Sequence, residues 1–193
     1  MSELETLAES IKKLHAKLRN DVKAKWKRVL PFDELLFDRW EKARYLGFGK
    51  KASIYHNSYV YGDVEIGEGT WVGPFTILDG SGGKLKIGRY CSISAGVQIY
   101  THNTVKWALS GGLAPYERAP TTIGDCCYIG PYTVISMGVM VGNHCLIGAH
   151  SFLNRDLPSY SIAIGVPAKV VGKVVVKESE VKLIYEGQSL PDG

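Results

Sequence analysis

The chain has 193 residues, 45% of them hydrophobic and 22% charged, with a formal net charge of +4, which suits one domain with an appendage and a real core. No stretch approaches the ~20 apolar residues of a membrane span, and charged residues stand near the N-terminus where a secretory signal needs an apolar core. The expectation is a cytoplasmic chain without integral membrane contact. The excess positive charge sits in residues 1–51, with 13 Lys and Arg against 8 Asp and Glu, while the remainder holds 10 against 11. That distribution, without a recognised reader motif, argues against nucleic acid as a partner.

Residues 2–30 carry Leu4, Leu7, Ile11, Leu14 and Leu18 at 3-4-3-4 spacing, the pattern of an amphipathic helix. Ser2 and Glu5 form a capping-box pair, and Pro31 ends the segment. A second helix is expected from Asp33 as N-cap, through Leu36, Phe37, Trp40 and Ala43, to Gly47. Residues 1–50 thus read as a helical hairpin whose apolar stripes need a partner, either the next domain's open end or a neighbouring subunit. The lysines and arginines between Lys12 and Arg28 read as a solvated polar face.

From residue 51 to 176 the period changes. Aliphatic residues recur every six positions: Ile54, Val60, Ile66, Val72 and Leu78, then Ile87, Ile93 and Ile99, then Ile123, Ile129, Ile135, Val141, Ile147 and Leu153. Neither a helix nor a two-faced strand has this period. A short strand plus a tight turn does, and hexapeptide periods mark a parallel β-helix, in which three hexads make one triangular coil. The aliphatic fills the axis, and the fifth position is usually small. The residue after the aliphatic is often Gly (Gly67, Gly88, Gly130, Gly148), which is expected to turn the corner. Cys91, Cys127 and Cys145 occupy the fifth position as compact apolar residues, and with Cys126 they show no disulfide or metal spacing.

Two insertions break the register. Leu78 to Ile87 is three residues too long, and DGSGG reads as a small turn. Between Ile99 and Ile123 an external loop, residues 101–121, carries HNTVKWALSGGLAPYERAP; long ordered loops on rigid scaffolds tend to carry function. A closing strand is expected in IGVPAKVVGKVVV, and a short terminal helix with a tail over 177–193. Counting hexads in threes places those beginning at Val60, Leu78, Ile99, Ile135 and Leu153 on one face. His102 then lies one rung from Gly138 and one from Ser81, with Asp79 close by. His144 and His150 fall on different faces, so they share no ligand within a chain. His15 and His56 read as surface residues.

These hexads, above all IGDCCYIGPYTVISMGVMVGNHCLIGAHSFLNRDLP followed by IGVPAKVVGKV, resemble the hexapeptide-repeat acyltransferases. The resemblance implies a left-handed β-helix, a homotrimer, and acetyl-CoA as cosubstrate; the left hand comes from the family alone. It implies transfer of an acetyl group to a sugar, foremost the amino group of a nucleotide-linked deoxyamino sugar for a bacterial surface glycan. The alternatives are sugar or polysaccharide O-acetylation and, more distantly, a zinc-dependent carbonic-anhydrase-like protein or a non-catalytic trimeric scaffold. His102 in the Thr101-His102 pair is the expected general base, and Gly138 or a neighbour the oxyanion donor. Relatives often have His-Pro and Pro-Gly where this chain has His102-Asn103 and Met137-Gly138. Coenzyme A is expected along the groove of Gly138, Gly148 and Ala149, with its phosphates at Lys169 and Lys173. Asp79, Trp107, Tyr116, Glu117 and Arg118 are the expected acceptor contacts. No metal is expected.

Overall fold

In a computed structural model, residues 2–187 are described. They form a parallel β-helix preceded by helices. The first face stacks six parallel rungs: Ser53–Ile54, Trp71–Val72, Ser92–Ile93, Tyr128–Ile129, Leu146–Ile147 and Ser161–Gly165. The second pairs Val60 with Leu78, Leu78 with Ile99, Ile99 with Ile135, and Ile135 with Leu153, the set obtained by counting hexads in threes. The third carries Ile66, Ile87, Ile123 and Val141. Ile54, Leu78, Ile93, Ile99, Ile129, Ile135 and Ile147 are fully buried on the axis, so the core is one continuous column that no single coil could bury alone.

The small fifth residues do more than fill space. Ser58 Oγ donates to Gly73 O at 2.8 Å, Thr70 Oγ1 to Gly88 O at 2.8 Å, Thr133 Oγ1 to Gly148 O at 3.0 Å, and the Cys91 and Cys127 thiols to Gly124 O and Gly142 O at 3.1 Å. Each satisfies a carbonyl that the turn of a neighbouring coil leaves without a ladder partner. The thiol of Cys127, bonded between its Cys145 and Cys91 neighbours and buried, has its pKa pushed far up.

The glycines that follow the axial residues have another role than the expected one. The left-handed corner is made by the fourth residue of the hexad, at φ 60° in Phe75, 54° in Tyr90, 58° in Tyr132 and 54° in His144. The second-position glycines admit the next coil: a Cβ on Gly67 would lie 2.6 Å from Arg89 N, and one on Gly130 2.5 Å from Ala149 N. Their requirement is steric.

The insertions also differ in form. DGSGG is no turn but the middle of an 11-residue strand, Ile77–Ile87, beside the strand Tyr59–Ile66, with the register shift between Gly62 and Val64 absorbing the extra residues. The 101–121 loop holds an antiparallel ribbon, His102–Asn103 with Glu117–Arg118, around a short helix Val105–Leu109.

At the N-terminus α1 spans Glu3–Trp26, with both capping-box bonds formed, and ends at Lys27 in the left-handed conformation, ahead of Pro31. The expected second helix is two: α2 (Phe32–Leu36), with Pro31 at its N-cap, and α3 (Arg39–Tyr45), capped by Asp38, whose carboxylate accepts from Trp40 N at 2.7 Å. Asp33 is therefore inside a helix and not its cap. Extended backbone at Phe37 separates the two. Ala43 and Phe48 close the end of the core, and Lys42 Nζ ties α3 to the first coil through Tyr55 O, His56 O and Ser58 O at 2.8–3.0 Å. No residue of α1 is buried; Leu4, Leu7, Ile11 and Leu14 stay exposed within one chain. His56 is not a free surface residue: its ring packs on Phe37 at 4.7 Å, and its Nε2 is buried with no hydrogen-bond partner among the described residues. His15 is half-buried beside Phe32.

At the other end the closing strand is a long hairpin arm, Ala168–Lys177, and the segment expected to be a helix is a strand, Glu180–Tyr185, antiparallel to it. The alternation in Val181, Leu183 and Tyr185 suits a pleated strand, and its ladder gives the backbone partners along the whole segment. The expected tail over 188–193 lies outside the described residues. No described helix is long and apolar enough to cross a membrane.

Candidate functional site

The site grows from two buried threonines at the roots of the long loop. Thr101 Oγ1 donates to Asp79 O at 2.8 Å and accepts from Gly82 N at 3.0 Å. Thr121 Oγ1 donates to Tyr100 O at 2.7 Å and accepts from Gly138 N at 3.0 Å. Both are fully buried, so the ribbon leaves the β-helix from a clamped base.

His102 stands at that base beside Asp79 and Ser81, as the hexad count predicts. Its Nδ1 lies 3.0 Å from Asp79 Oδ2 and 3.4 Å from Ser81 Oγ. Asp79 is only 4% exposed, and its other oxygen accepts from Ser81 N at 2.9 Å and Ser81 Oγ at 2.6 Å. A carboxylate only accepts, so it holds the proton of a neutral imidazole on Nδ1 and leaves Nε2 with a free lone pair. Asp79 was expected at the acceptor; the structure turns it to the histidine instead. Gly138 also changes role, because its N–H is spent on Thr121 and is not free for an oxyanion. With φ 77° and Ala119 Cβ 3.2 Å from where its Cβ would be, it keeps a tight corner under the loop.

The loop residues assemble around the base. The Tyr116 ring lies nearly parallel to that of His102, with centroids 6.4 Å apart, and Trp107 meets Tyr116 edge-on at 5.5 Å. Arg118 pairs across the ribbon with His102, is exposed, and forms no ion pair among the described residues. Glu117 is bound to Lys106 at 2.6 Å, and that hydrogen bond holds its carboxyl below the usual carboxylate range. It braces the loop.

Of the residues expected to hold coenzyme A, Gly138 stays at the loop root, while Gly148, Ala149, Lys169 and Lys173 gather at the C-terminal end of the first face. Ile164 pairs with Lys169 and would meet a Cβ on Gly148 at 2.8 Å, while Ala149 lies over Gly130. Lys173 pairs with Ser161 on the same arm, and both lysines are exposed. His144 and His150 stack on Tyr160 and Tyr132 at separate corners, with centroids 4.9 and 5.2 Å apart. The hexad count placed Ser81 near His102, but the hydrogen bonds of Thr101, Thr121 and the Ser81 side chain were not read from the sequence; threonine beside an excursion was the available signal.

Residues 120–155 match the family model of the bacterial transferase hexapeptide (six repeats), a stretch that falls on the third run of hexads read from the sequence. The chain is 28% identical over 129 residues to the galactoside O-acetyltransferase of Escherichia coli, covering 56% of this chain and 63% of that protein. It is 38% identical over 107 residues to a putative acetyltransferase of Saccharomyces cerevisiae, covering 53% and 52%. The matches thus span less than two thirds of these relatives. Among solved structures, a hexapeptide-repeat acetyltransferase of Vibrio cholerae superposes with TM-score 0.61 at 21% identity, covering 90% of this chain and 93% of that one. AntD, an N-acyltransferase of Bacillus cereus solved as a mutant with dTDP and coenzyme A, gives 0.59 at 20%, covering 69% and 87%. The fold is shared with both.

Proposed function

We propose that this chain is an acetyl-CoA-dependent acetyltransferase whose acceptor is the amino group of a nucleotide-linked deoxyamino sugar, used for a bacterial surface glycan. The observation that carries the reading is His102, oriented by the buried Asp79 at the clamped root of an aromatic loop. As the acceptor nitrogen attacks the thioester carbonyl, Nε2 takes its proton. The new C–N bond forms, the C–S bond breaks, and the departing thiolate recovers the proton. Asp79 stabilises the imidazolium in between. Trp107 and Tyr116 offer ring faces to the sugar, and Arg118, without an ion pair among the described residues, takes its phosphates. Lys169, across from Ile164 beside Gly148, and Lys173 further along the same arm take the phosphates of coenzyme A. AntD, solved in complex with dTDP and coenzyme A, supports the nucleotide-sugar reading. The galactoside O-acetyltransferase relative supports a second one, in which the same base serves a hydroxyl.

The test incubates the protein with acetyl-CoA and a panel of nucleotide amino sugars and neutral glycosides, following thiol release. His102→Asn should lower turnover by ~10²- to 10⁴-fold while coenzyme A binding survives. Wild-type turnover in a folded, coenzyme-binding variant removes His102 from the mechanism.

A further inference from the structure

Tyr59 and Tyr61 lie on one strand with their rings within 5° of parallel and centroids 6.2 Å apart, 59% and 49% exposed. No role in the core accounts for them. Tyr61 is the direct ladder partner of Asp79, the carboxylate bonded to His102, so this platform is continuous with the candidate base. The half-buried Tyr100 phenol, which donates to Gln98 Oε1 at 2.7 Å, has its pKa raised by burial first and then by the charge of Asp79. Among the described residues the strand Tyr59–Ile66 pairs with one other strand, Ile77–Ile87, and on its far side Gly49 N–H donates to Ile66 O at 2.8 Å, away from the two tyrosines.

We infer that Tyr59 and Tyr61 are the base subsite of the acceptor, stacking the planar heteroaromatic ring of a nucleoside diphosphate whose sugar reaches His102. A planar ring needs about 3.5 Å of contact on each face, so it enters between rings at this spacing with an opening of about 1 Å or stacks on the outer face of the pair. A puckered pyranose is thicker and has no π-face. Stacking on aromatic side chains is tolerant of base identity, so the platform sets the class of acceptor and not its base. Lys84 and Lys86 are engaged by Glu65 and Lys42 by the carbonyls of Tyr55, His56 and Ser58, while Arg118 on the loop side forms no ion pair among the described residues and takes the diphosphate.

The inference rests on the acetyltransferase reading only for the sugar's position, so its test is binding to the whole chain without coenzyme. UDP, dTDP, inorganic pyrophosphate and cellobiose are titrated by protein fluorescence against wild type, Tyr59→Ala/Tyr61→Ala and Tyr59→Phe/Tyr61→Phe. Both nucleotides should bind, the double alanine should weaken them by roughly 10-fold, the double phenylalanine should retain them, and pyrophosphate should respond equally to all three proteins. Equal nucleotide affinity in wild type and the alanine variant overturns the subsite. So does cellobiose as the better ligand of the pair, or a change in elution volume showing that the face is a contact between copies. Loss of acetyl transfer with nucleotide discrimination intact would reject the reaction and keep the subsite.

Discussion

At the scale of single residues, the charge on Asp79 is what distinguishes His102 from the other histidines. His144 and His150 stack on tyrosines at corners, whereas His102 meets a carboxylate whose second oxygen is already filled by Ser81. Asp79→Asn keeps the volume but removes the charge and lets an amide N–H₂ face Nδ1, so the Nε2-protonated tautomer gains population. Turnover should fall roughly 10- to 10³-fold with the KM for acetyl-CoA nearly constant. The ¹⁵N spectrum of the imidazole should shift toward the other tautomer, a change that a packing role for Asp79 would not produce. The hexad count was enough to bring His102, Asp79 and Ser81 to one place. It could not say that Gly138 N–H points to Thr121, because a hydrogen bond between a loop root and the next coil leaves no trace in a period of six.

Among the elements, the hexad assigns its six positions to different physical tasks, and two of them read alike in sequence. Glycine in second position and an αL residue in fourth both resemble turn chemistry, yet only the fourth has positive φ. Gly130→Ala should therefore destabilise the chain by about 1–3 kcal/mol through its clash with the backbone at Ala149. Gly130→Asn should be no better, although Asn tolerates the left-handed region. Tyr132→Gly, at φ 58°, should recover part of the strain while losing the ring packed on His150 and over Gly96. Denaturant midpoints of the three variants distinguish a steric glycine from a conformational one. The short terminal helix expected within 177–193 failed for a comparable reason: a short alternating segment is ambiguous by itself, and the neighbouring arm Ala168–Lys177 decides in favour of a strand.

For the molecule as a whole, the exposed stripe of Leu4, Leu7, Ile11 and Leu14 marks surface that one chain leaves uncovered, and flat faces with inter-coil grooves invite copies of the same chain. The proposed trimer of this 21.2 kDa chain has a mass of about 64 kDa, three times the monomer. Light scattering at micromolar concentration checks it, and a monomer would overturn it. Replacing Lys169 and Lys173 together by alanine should raise the apparent constant for acetyl-CoA several-fold with little change in turnover, because contacts to a remote phosphate act equally on ground and transition states. An unchanged constant would move the coenzyme's phosphates to another part of the surface.

The chain's local order determined the coils, their faces and the placing of His102 beside a carboxylate, because a repeat that contacts only its neighbours turns sequence separation directly into distance. The tertiary structure alone decided which hydrogen bonds the threonines, Gly138 and Asp79 make, where the N-terminal helices break, and that the C-terminal segment pairs as a strand. Those choices depend on partners brought close by stacking and by excursions of no fixed period, and no spacing within one segment encodes them.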